Sequence, residues 1–385
     1  MRRTSITATL SLVAVLAVTV AAQPVGATYP GTIDGRLAFG MPLGNFATTD
    51  IYSITPEGKG LHRLTDSPDF EACPAYSPNG KEITYCRGVA AAGGVVEIWS
   101  MKQNGNKQRQ VTHHGGRSTF PDFSPDGQRI AFQSAVPSTA TFDIYVVNSD
   151  GTGLVQLTND PAQDSLPVWS PDRQKIAFVS RRTGVDQVWV MDADGDNATQ
   201  LTIDLAPKGQ LPDWSPDGTK IAYQSLATGA GDIYVMNADG SDQRRITTGP
   251  RNDSAPSWSS DGSKIAYTSG DNSTTRIYVM NADGSDQHVV GDDAGSNFTP
   301  DWSPDGQLLV FVTLRDGVDQ MYVMPADGQG PERRLSSPGG GDSDVDWSPD
   351  GTMLAFVHHG ETGPADVFVS DPNGYGRTQL THSGD

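Results

Sequence analysis

Basic residues are scarce in this chain: 27 Lys and Arg stand against 46 Asp and Glu, a formal net charge of -19 over 385 residues. A balance of that sign repels nucleic acid and anionic membrane surfaces and favours basic or cationic partners. Cysteine is almost missing, with Cys73 and Cys86 the only two, which rules out a Cys-rich metal cluster or a disulfide-dense scaffold. Beyond about residue 20 no apolar run approaches the ~20 residues a membrane-spanning helix needs. No Gly-x-Ser-x-Gly elbow occurs, so the nucleophile turn of an α/β-hydrolase is lacking.

What is present begins with a leader. Arg2 and Arg3 precede an apolar stretch from about Leu10 to Val20, and small residues follow. Residues 1–27 therefore read as a secretory signal peptide, with cleavage expected before Gln23 or before Thr28. No Cys follows the apolar run, which argues against a lipid-anchored mature terminus. Loss of residues 1–27, which hold two arginines and no acid, would leave a net charge of -21. The mature chain is expected outside the cytoplasm, secreted or in the periplasm or cell envelope, with no membrane insertion after cleavage.

The rest of the chain repeats. LPDWSPDGTKIAY (211 to 223) has near-copies at CPAYSPNGKEITY, FPDFSPDGQRIAF, LPVWSPDRQKIAF, APSWSSDGSKIAY, TPDWSPDGQLLVF and DVDWSPDGTMLAF, spaced 44 to 47 residues apart. Each is followed by a second segment of the kind DIYVMNADG and a third such as QLT. A partial copy opens the array, with DGRLAF, DIYSITPEG and RLT but no aromatic-Ser-Pro segment. The segments are short, rich in Ile, Val, Tyr and Phe, and bounded by Pro, Asp, Asn and Gly, so they predict β-strands. Ser-Pro-Asp-Gly and Asn-Ala-Asp-Gly suit tight turns, since Pro presets φ, Asp bonds nearby backbone and Gly accepts positive φ. Four strands per ~45 residues match one blade of a β-propeller. The expected fold is all-β, a β-propeller of four-stranded antiparallel blades filling a single domain over 31–385, with eight blades as the first choice and seven as the alternative.

In order, strand a is the aromatic-Ser-Pro segment, b the Ile-Ala-Phe segment, c the Ile-Tyr-Val-Met segment and d the Gln-Leu-Thr segment. Tyr76, Phe123, Trp169, Trp214, Trp258, Trp302 and Trp347 share one position of strand a, where a flat ring can fill the wedge between neighbouring blades. An aromatic side chain buries ~150 to 250 Å², so these seven are read as structural.

The repeated aromatic-Ser-Pro-Asp-Gly-x-x-Ile-Ala-Phe, with Ile-Tyr-Val-Met-Asn-Ala-Asp-Gly and Leu-Thr after it, resembles the repeat of TolB-type β-propellers, which also occurs in tricorn-like and prolyl-oligopeptidase-like proteins. The resemblance covers about residues 31 to 382. It implies a secreted TolB-like propeller, neither a full TolB nor a peptidase. TolB itself carries a separate α/β domain before its propeller and works in the periplasm with a peptidoglycan-associated lipoprotein; peptidase relatives carry a hydrolase domain after theirs. Here the repeat begins directly after the leader and the chain ends soon after its last strand d, so a propeller without either domain is expected.

Alternating strand direction places the a-b and c-d turns on one face and the b-c and d-a loops on the other. The first face carries the repeated turns. The second differs from blade to blade, as in CRGVAAAGGVV, QSAVPSTATF, VSRRTGVD and VHHGETGPA, and varied loops on a rigid frame are where specificity normally resides. Five positions before the core aromatic stand Glu71, Ser118, Asp164, Gly209, Asp253, Asn297 and Asp342. Glu71, Asp164, Asp253, Asn297 and Asp342 are therefore candidate ligand-binding residues, able to ring a channel mouth and draw a divalent cation or a basic peptide. Equally, each could cap its own loop by accepting backbone N-H bonds.

Asp192, Asp194 and Asp196 lack the glycine and Glu positions of an EF-hand. His113 and His114, like His358 and His359, have no ligand at zinc spacing and are expected as exposed loop residues. Cys73 and Cys86 flank the first a-b hairpin, where paired strands come within disulfide range, and a bridge between them is expected in an exported chain. A hairpin loop one residue shorter would set them on opposite faces.

No catalytic residues and no organic cofactor are predicted; a divalent cation at the channel mouth is the one cofactor the residues would admit. The functional expectation is a monomeric, non-enzymatic binding scaffold whose partner is a protein or an envelope or extracellular polymer. The alternative is a propeller enzyme such as a polysaccharide lyase or hydrolase.

Overall fold

A computed structural model describes residues 37–43, 48–54, 62–88, 95–135, 141–203, 212–271, 274–291, 296–315, 320–335, 340–347, 351–360 and 365–379. The leader at 1–27 lies outside them.

Every described element is a β-strand or a turn, and the strands fall into repeat units, numbered 1 to 8 along the chain. Unit 4 sets the pattern: strand a is Asp164–Trp169, b Lys175–Ser180, c Gln187–Asp192 and d Thr199–Gln200. All three pairings within it are antiparallel. Units 2 to 8 each carry four strands, and among the described residues unit 1 carries three, Leu37–Leu43, Thr48–Ile54 and His62–Arg63. Strand c of unit 1 pairs in parallel with strand a of unit 2, through Thr49 and Phe70, and Val96 with Arg117 joins units 2 and 3 likewise. These parallel contacts require units 1, 2 and 3 to share one orientation, which sets the strand ends leading into their b-c and d-a connections on the same side. The first strand, Leu37–Leu43, lies against strand c of unit 8, Ala365–Ser370, which brings the two ends of the array together.

The core sits between units. Trp302 packs with Ala266, Ile277, Val279 and Val290 of unit 6 as well as Leu309 and Phe311 of its own unit. Trp214 and Trp258 repeat the arrangement against units 4 and 5, Trp169 against unit 3, Phe123 against unit 2 and Trp347 against unit 7. Tyr76, less enclosed, packs on the Ile51 and Leu64 side of unit 1. Strand b is buried on both faces, as at Ile176, Ala177, Phe178 and Val179, because a neighbouring unit lies against each side.

The a-b turns form a second seam. Ser215 donates to Asp217 Oδ1 at 2.6 Å, Gly218 N donates to Ser215 O at 2.8 Å, and Lys220 N donates to Ser215 Oγ at 2.9 Å. Gly218 holds φ +70°, and a Cβ there would stand 3.5 Å from Pro171 of the preceding unit; Gly127, Gly262 and Gly351 face Pro78, Pro216 and Pro304 in the same way.

Strand a carries a bulge. Its register against strand b shifts between Thr119 and Asp122, Ser165 and Val168, and Ser254 and Ser257. Phe120, Leu166 and Ala255, each before a proline, take φ of 55°, 57° and 51° there, a region that costs an ordinary L-residue roughly 1 to 2 kcal/mol. In unit 2 the bulge sets Ala72 opposite Cys86, so Cys73 is one position out of the register expected from the hairpin. Cys86 is buried; the Cys73 side chain lies outside the described residues.

Candidate binding face

The face carrying the b-c and d-a loops is underlaid by a polar clasp repeated from unit to unit. An acid or amide in the opening residues of strand c and the Thr after strand d stand 15 positions apart: Asp50 with Thr65, Glu97 with Thr112, Asp143 with Thr158, and Gln187 with Thr202. Each Thr Oγ1 donates to that side chain and accepts the backbone N-H of the residue that follows it, at 2.8 Å for Ile51 and 2.9 Å for Ile98 and Ile144. Thr247 accepts from Ile233 N at 2.9 Å in unit 5. This clasp was open to detection in the sequence as a constant offset between the Asp-Ile-Tyr and Leu-Thr segments.

The candidate residues at the start of strand a sit next to it. Glu71 is wholly buried and ion-paired with Arg87, the penultimate residue of strand b of unit 2 (Glu82–Gly88). It also accepts from Ser67 Oγ at 3.1 Å, while Ser67 N donates to Asp50 across the junction of units 1 and 2. Asp164 is wholly buried, with Arg182 Nη2 at 2.6 Å. Asp253, also buried, bonds to Ser269 and Thr247; burial pushes its carboxyl pKa up, and Asp232 beside it adds to that shift. Asp143, which faces Asp164, is shifted up for the same first reason. Ser118 joins Ser134 at 3.1 Å and His114 at 3.3 Å. Asn297 is wholly buried and neither polar atom of its amide has a hydrogen-bond partner. Asp342 belongs to strand a of unit 8, Gly340–Trp347, but its side chain, like Gly209, lies outside the described residues.

Of these side chains, those described are enclosed between units; Glu71, Asp164, Asp253 and Ser118 are tied to arginines, threonines, serines or His114, and Asn297 is not. Their geometry fixes the roots of loops. In unit 4, Arg182 anchors the b-c loop to Asp164 while stacking over Trp189 at 4.9 Å, and Arg181 closes the loop on Asp186 at 2.6 Å. Arg87 stacks on Trp99 at 4.1 Å in the same way. His114, expected to be exposed, is half-buried, stacked on Tyr145 at 5.3 Å and bonded to Ser134 at 2.6 Å; burial lowers its pKa, against the opposing pull of Glu97. His358 sits edge-on to Phe368 at 5.3 Å. Asp192 is held by Lys175 and Asn197, a c-d turn arrangement. Among the described residues no group of three or more His, Cys, Asp or Glu is placed to hold a metal.

The outward chemistry of the face is apolar in places. Ile203, after strand d of unit 4, is 81% exposed; Leu226 and Leu314, directly after strand b of units 5 and 7, are 37% and 41% exposed.

The family profile described as the TolB beta propeller domain matches this chain over residues 57–210, 208–291 and 284–385. The chain belongs to the TolB β-propeller family. An uncharacterized protein of Agrobacterium fabrum is 33% identical over 105 residues, 27% of this chain and 34% of that one. The Tol-Pal system protein TolB of Francisella tularensis subsp. mediasiatica is 30% identical over 86 residues, 22% of this chain and 19% of its own length. The chain therefore spans about a third or less of these curated relatives. Among solved structures, an oligogalacturonate lyase in complex with manganese superposes with a TM-score of 0.60 at 18% identity, covering 77% of this chain and 87% of that one. At that identity the likeness speaks for the TolB-type fold alone.

Proposed function

We propose that this TolB-family propeller is a non-enzymatic binding scaffold that acts outside the cytoplasm, in the periplasm or envelope or as a secreted protein, and docks a protein partner on its b-c and d-a loop face. The observation that carries the reading is the exposure on that face of Ile203, Leu226 and Leu314, three of the six large apolar side chains exposed among the described residues, above loop roots that buried ion pairs hold rigid. Solvated apolar side chains on a preorganised frame favour association with a protein surface. The acidic balance of the chain adds preference for a basic one. An enzymatic reading draws support only from the fold shared with the lyase, and an assay on oligogalacturonate addresses it directly.

The test is capture from cell envelope and culture supernatant with the exported chain, compared with Ile203→Lys/Leu226→Lys/Leu314→Lys and with Tyr375→Lys. Tyr375 is 75% exposed in the c-d turn of unit 8, on the opposite face. A partner lost with the triple variant and kept with Tyr375→Lys supports the reading. A partner indifferent to the triple variant sinks it.

A further inference from the structure

The repeat departs from its pattern at the junction of units 6 and 7. Strand c of unit 6 (Thr275–Asn281) begins its motif with Arg276 in place of the acid or amide, and Gly291 replaces the clasp threonine after strand d (His288–Val290). In units 2, 5 and 6 the residue just before strand d is a glutamine that sews neighbouring units together. Gln108, Gln243 and Gln287 donate to the carbonyls of Leu64, Leu201 and Ile246 at 2.7, 2.5 and 2.7 Å. Unit 7 has Glu332 at this place, and a carboxylate has no N-H to donate. Strand b of unit 7 (Leu308–Thr313) carries Phe311 where units 5 and 6 have Tyr223 and Tyr267, whose hydroxyls bond the glutamine at 3.1 and 3.3 Å.

With these stitches gone a pocket of about 570 Å³ opens, lined among the described residues by Val289, Gly291, Arg315, Tyr322, Met324, Gly328, Gly330 and Glu332. Arg315 and Glu332 pair at 2.6 Å, each about a tenth exposed, and Arg315 lies 4.0 Å over the Tyr322 ring. The space left by the missing Gly291 side chain is specific. A Cβ there would stand 2.8 Å from Glu332 Oε1, 3.5 Å from Asn297 Nδ2 and 3.5 Å from Phe311. The unpartnered amide of Asn297 thus borders the same space as the Glu332 carboxylate. Leaving a buried amide unpaired costs on the order of 1 to 3 kcal/mol, and three glycines in the lining expose backbone in place of side chains.

We propose that this gap is a binding site for a small neutral ligand carrying a peptide-type amide. Among the described residues the two charged side chains of the lining pair with each other, so an ionic ligand would have to compete with that pair, whereas a neutral one would not. An amide offers one donor and one acceptor side by side, which matches Glu332 and Arg315. Val289, Met324 and Tyr322 take an aliphatic side chain beside it. The site is separate from the loop face and goes beyond the scaffold reading.

Saturation-transfer NMR on the full exported chain, with N-acetyl-leucinamide as probe and zwitterionic leucine as control, tests it. The probe is expected to bind with a Kd on the order of millimolar, as befits so few heavy atoms, and more tightly than leucine. Val289→Trp fills the gap, and the isosteric Glu332→Gln introduces the glutamine of units 2, 5 and 6; each should weaken binding at least about tenfold with the melting curve retained. Should Val289→Trp fail to fold, Glu332→Gln still decides. No transfer to the amide, stronger binding of leucine, or equal binding in the wild type and Glu332→Gln would overturn the proposal.

Discussion

Replacing Asp213 by Asn should stabilise the protein, increasingly so as the pH rises from about 4 to about 7. Asp213 opens strand a of unit 5 (Asp213–Trp214), is 7% exposed, and accepts the backbone N-H of Trp258 in the next unit at 2.9 Å. Burial pushes its carboxyl pKa up to about 7 from an ordinary 3.8, despite the opposing bonds from Trp258 and Trp214. Below about pH 4 the acid is protonated in both folded and unfolded chains and contributes nothing to the pH dependence. Between about 4 and 7 the unfolded chain ionises while the folded one holds its proton, so stability falls as pH rises. Above about 7 both are ionised, and the loss is complete. A shift of about three units at 1.36 kcal/mol each makes that loss about 4 kcal/mol. Asn keeps the acceptor for Trp258 and never ionises. In urea denaturation the Asn variant should exceed wild type by about 1 kcal/mol at pH 4.5 and by up to about 4 kcal/mol at pH 8. An equal difference at the two pH values would refute the account. Asp122 is the counterpart two units earlier: it binds Trp169 N at 3.0 Å, and burial takes its carboxyl to about 7 as well. Asp122→Asn should show the same signature, and the pair should add because the sites are remote.

Three further outcomes are expected. Trp302→Ala removes a ring wedged between units 6 and 7 and its Nε1 bond to Ser257 O at 3.2 Å; chemical denaturation should show a loss of about 3 to 5 kcal/mol, and a loss under about 1 would contradict the wedge. Arg182→Met strands the wholly buried Asp164 without its cation and should cost about 3 to 5 kcal/mol, with recovery of most of it in the double variant Arg182→Met/Asp164→Asn; no recovery would mean the arginine acts through its stack on Trp189 instead. Finally, the chain collected from outside the cell should be lighter by two hydrogens than the reduced chain in intact-mass spectrometry if Cys73 and Cys86 are bridged, and identical masses would dismiss the bridge.

The strands and their order were legible because each carries its own signal: period, turn chemistry and length agree at Trp-Ser-Pro-Asp-Gly and again at Asn-Ala-Asp-Gly. The bulge in strand a was not. A positive φ is ordinarily advertised by Gly or Asn, whereas here Phe120, Leu166 and Ala255 take it, held by the pairing on either side. Hence Cys86 meets Ala72 and not the residue the hairpin length suggests. At the candidate site the shared level of Glu71, Asp164 and Asp253 could be counted from the aromatic, but their burial could not. It depends on Arg87 and Arg182, whose distance in sequence says nothing about which way a guanidinium turns. The gap beside Asn297 is legible only by comparing units once the clasp is known, since Gly291 and Glu332 are unremarkable by themselves.

The meeting of Leu37–Leu43 with strand c of unit 8 bears on how the molecule forms. Those segments are separated by about 320 residues, and contacts of such high order arrive late in a folding reaction. Each interior unit can settle on its predecessor as it emerges from synthesis or transport, whereas the final latch has to wait for nearly the whole polypeptide. Deleting either end should therefore leave an array of stacked sheets with two raw edges, prone to pairing with other chains.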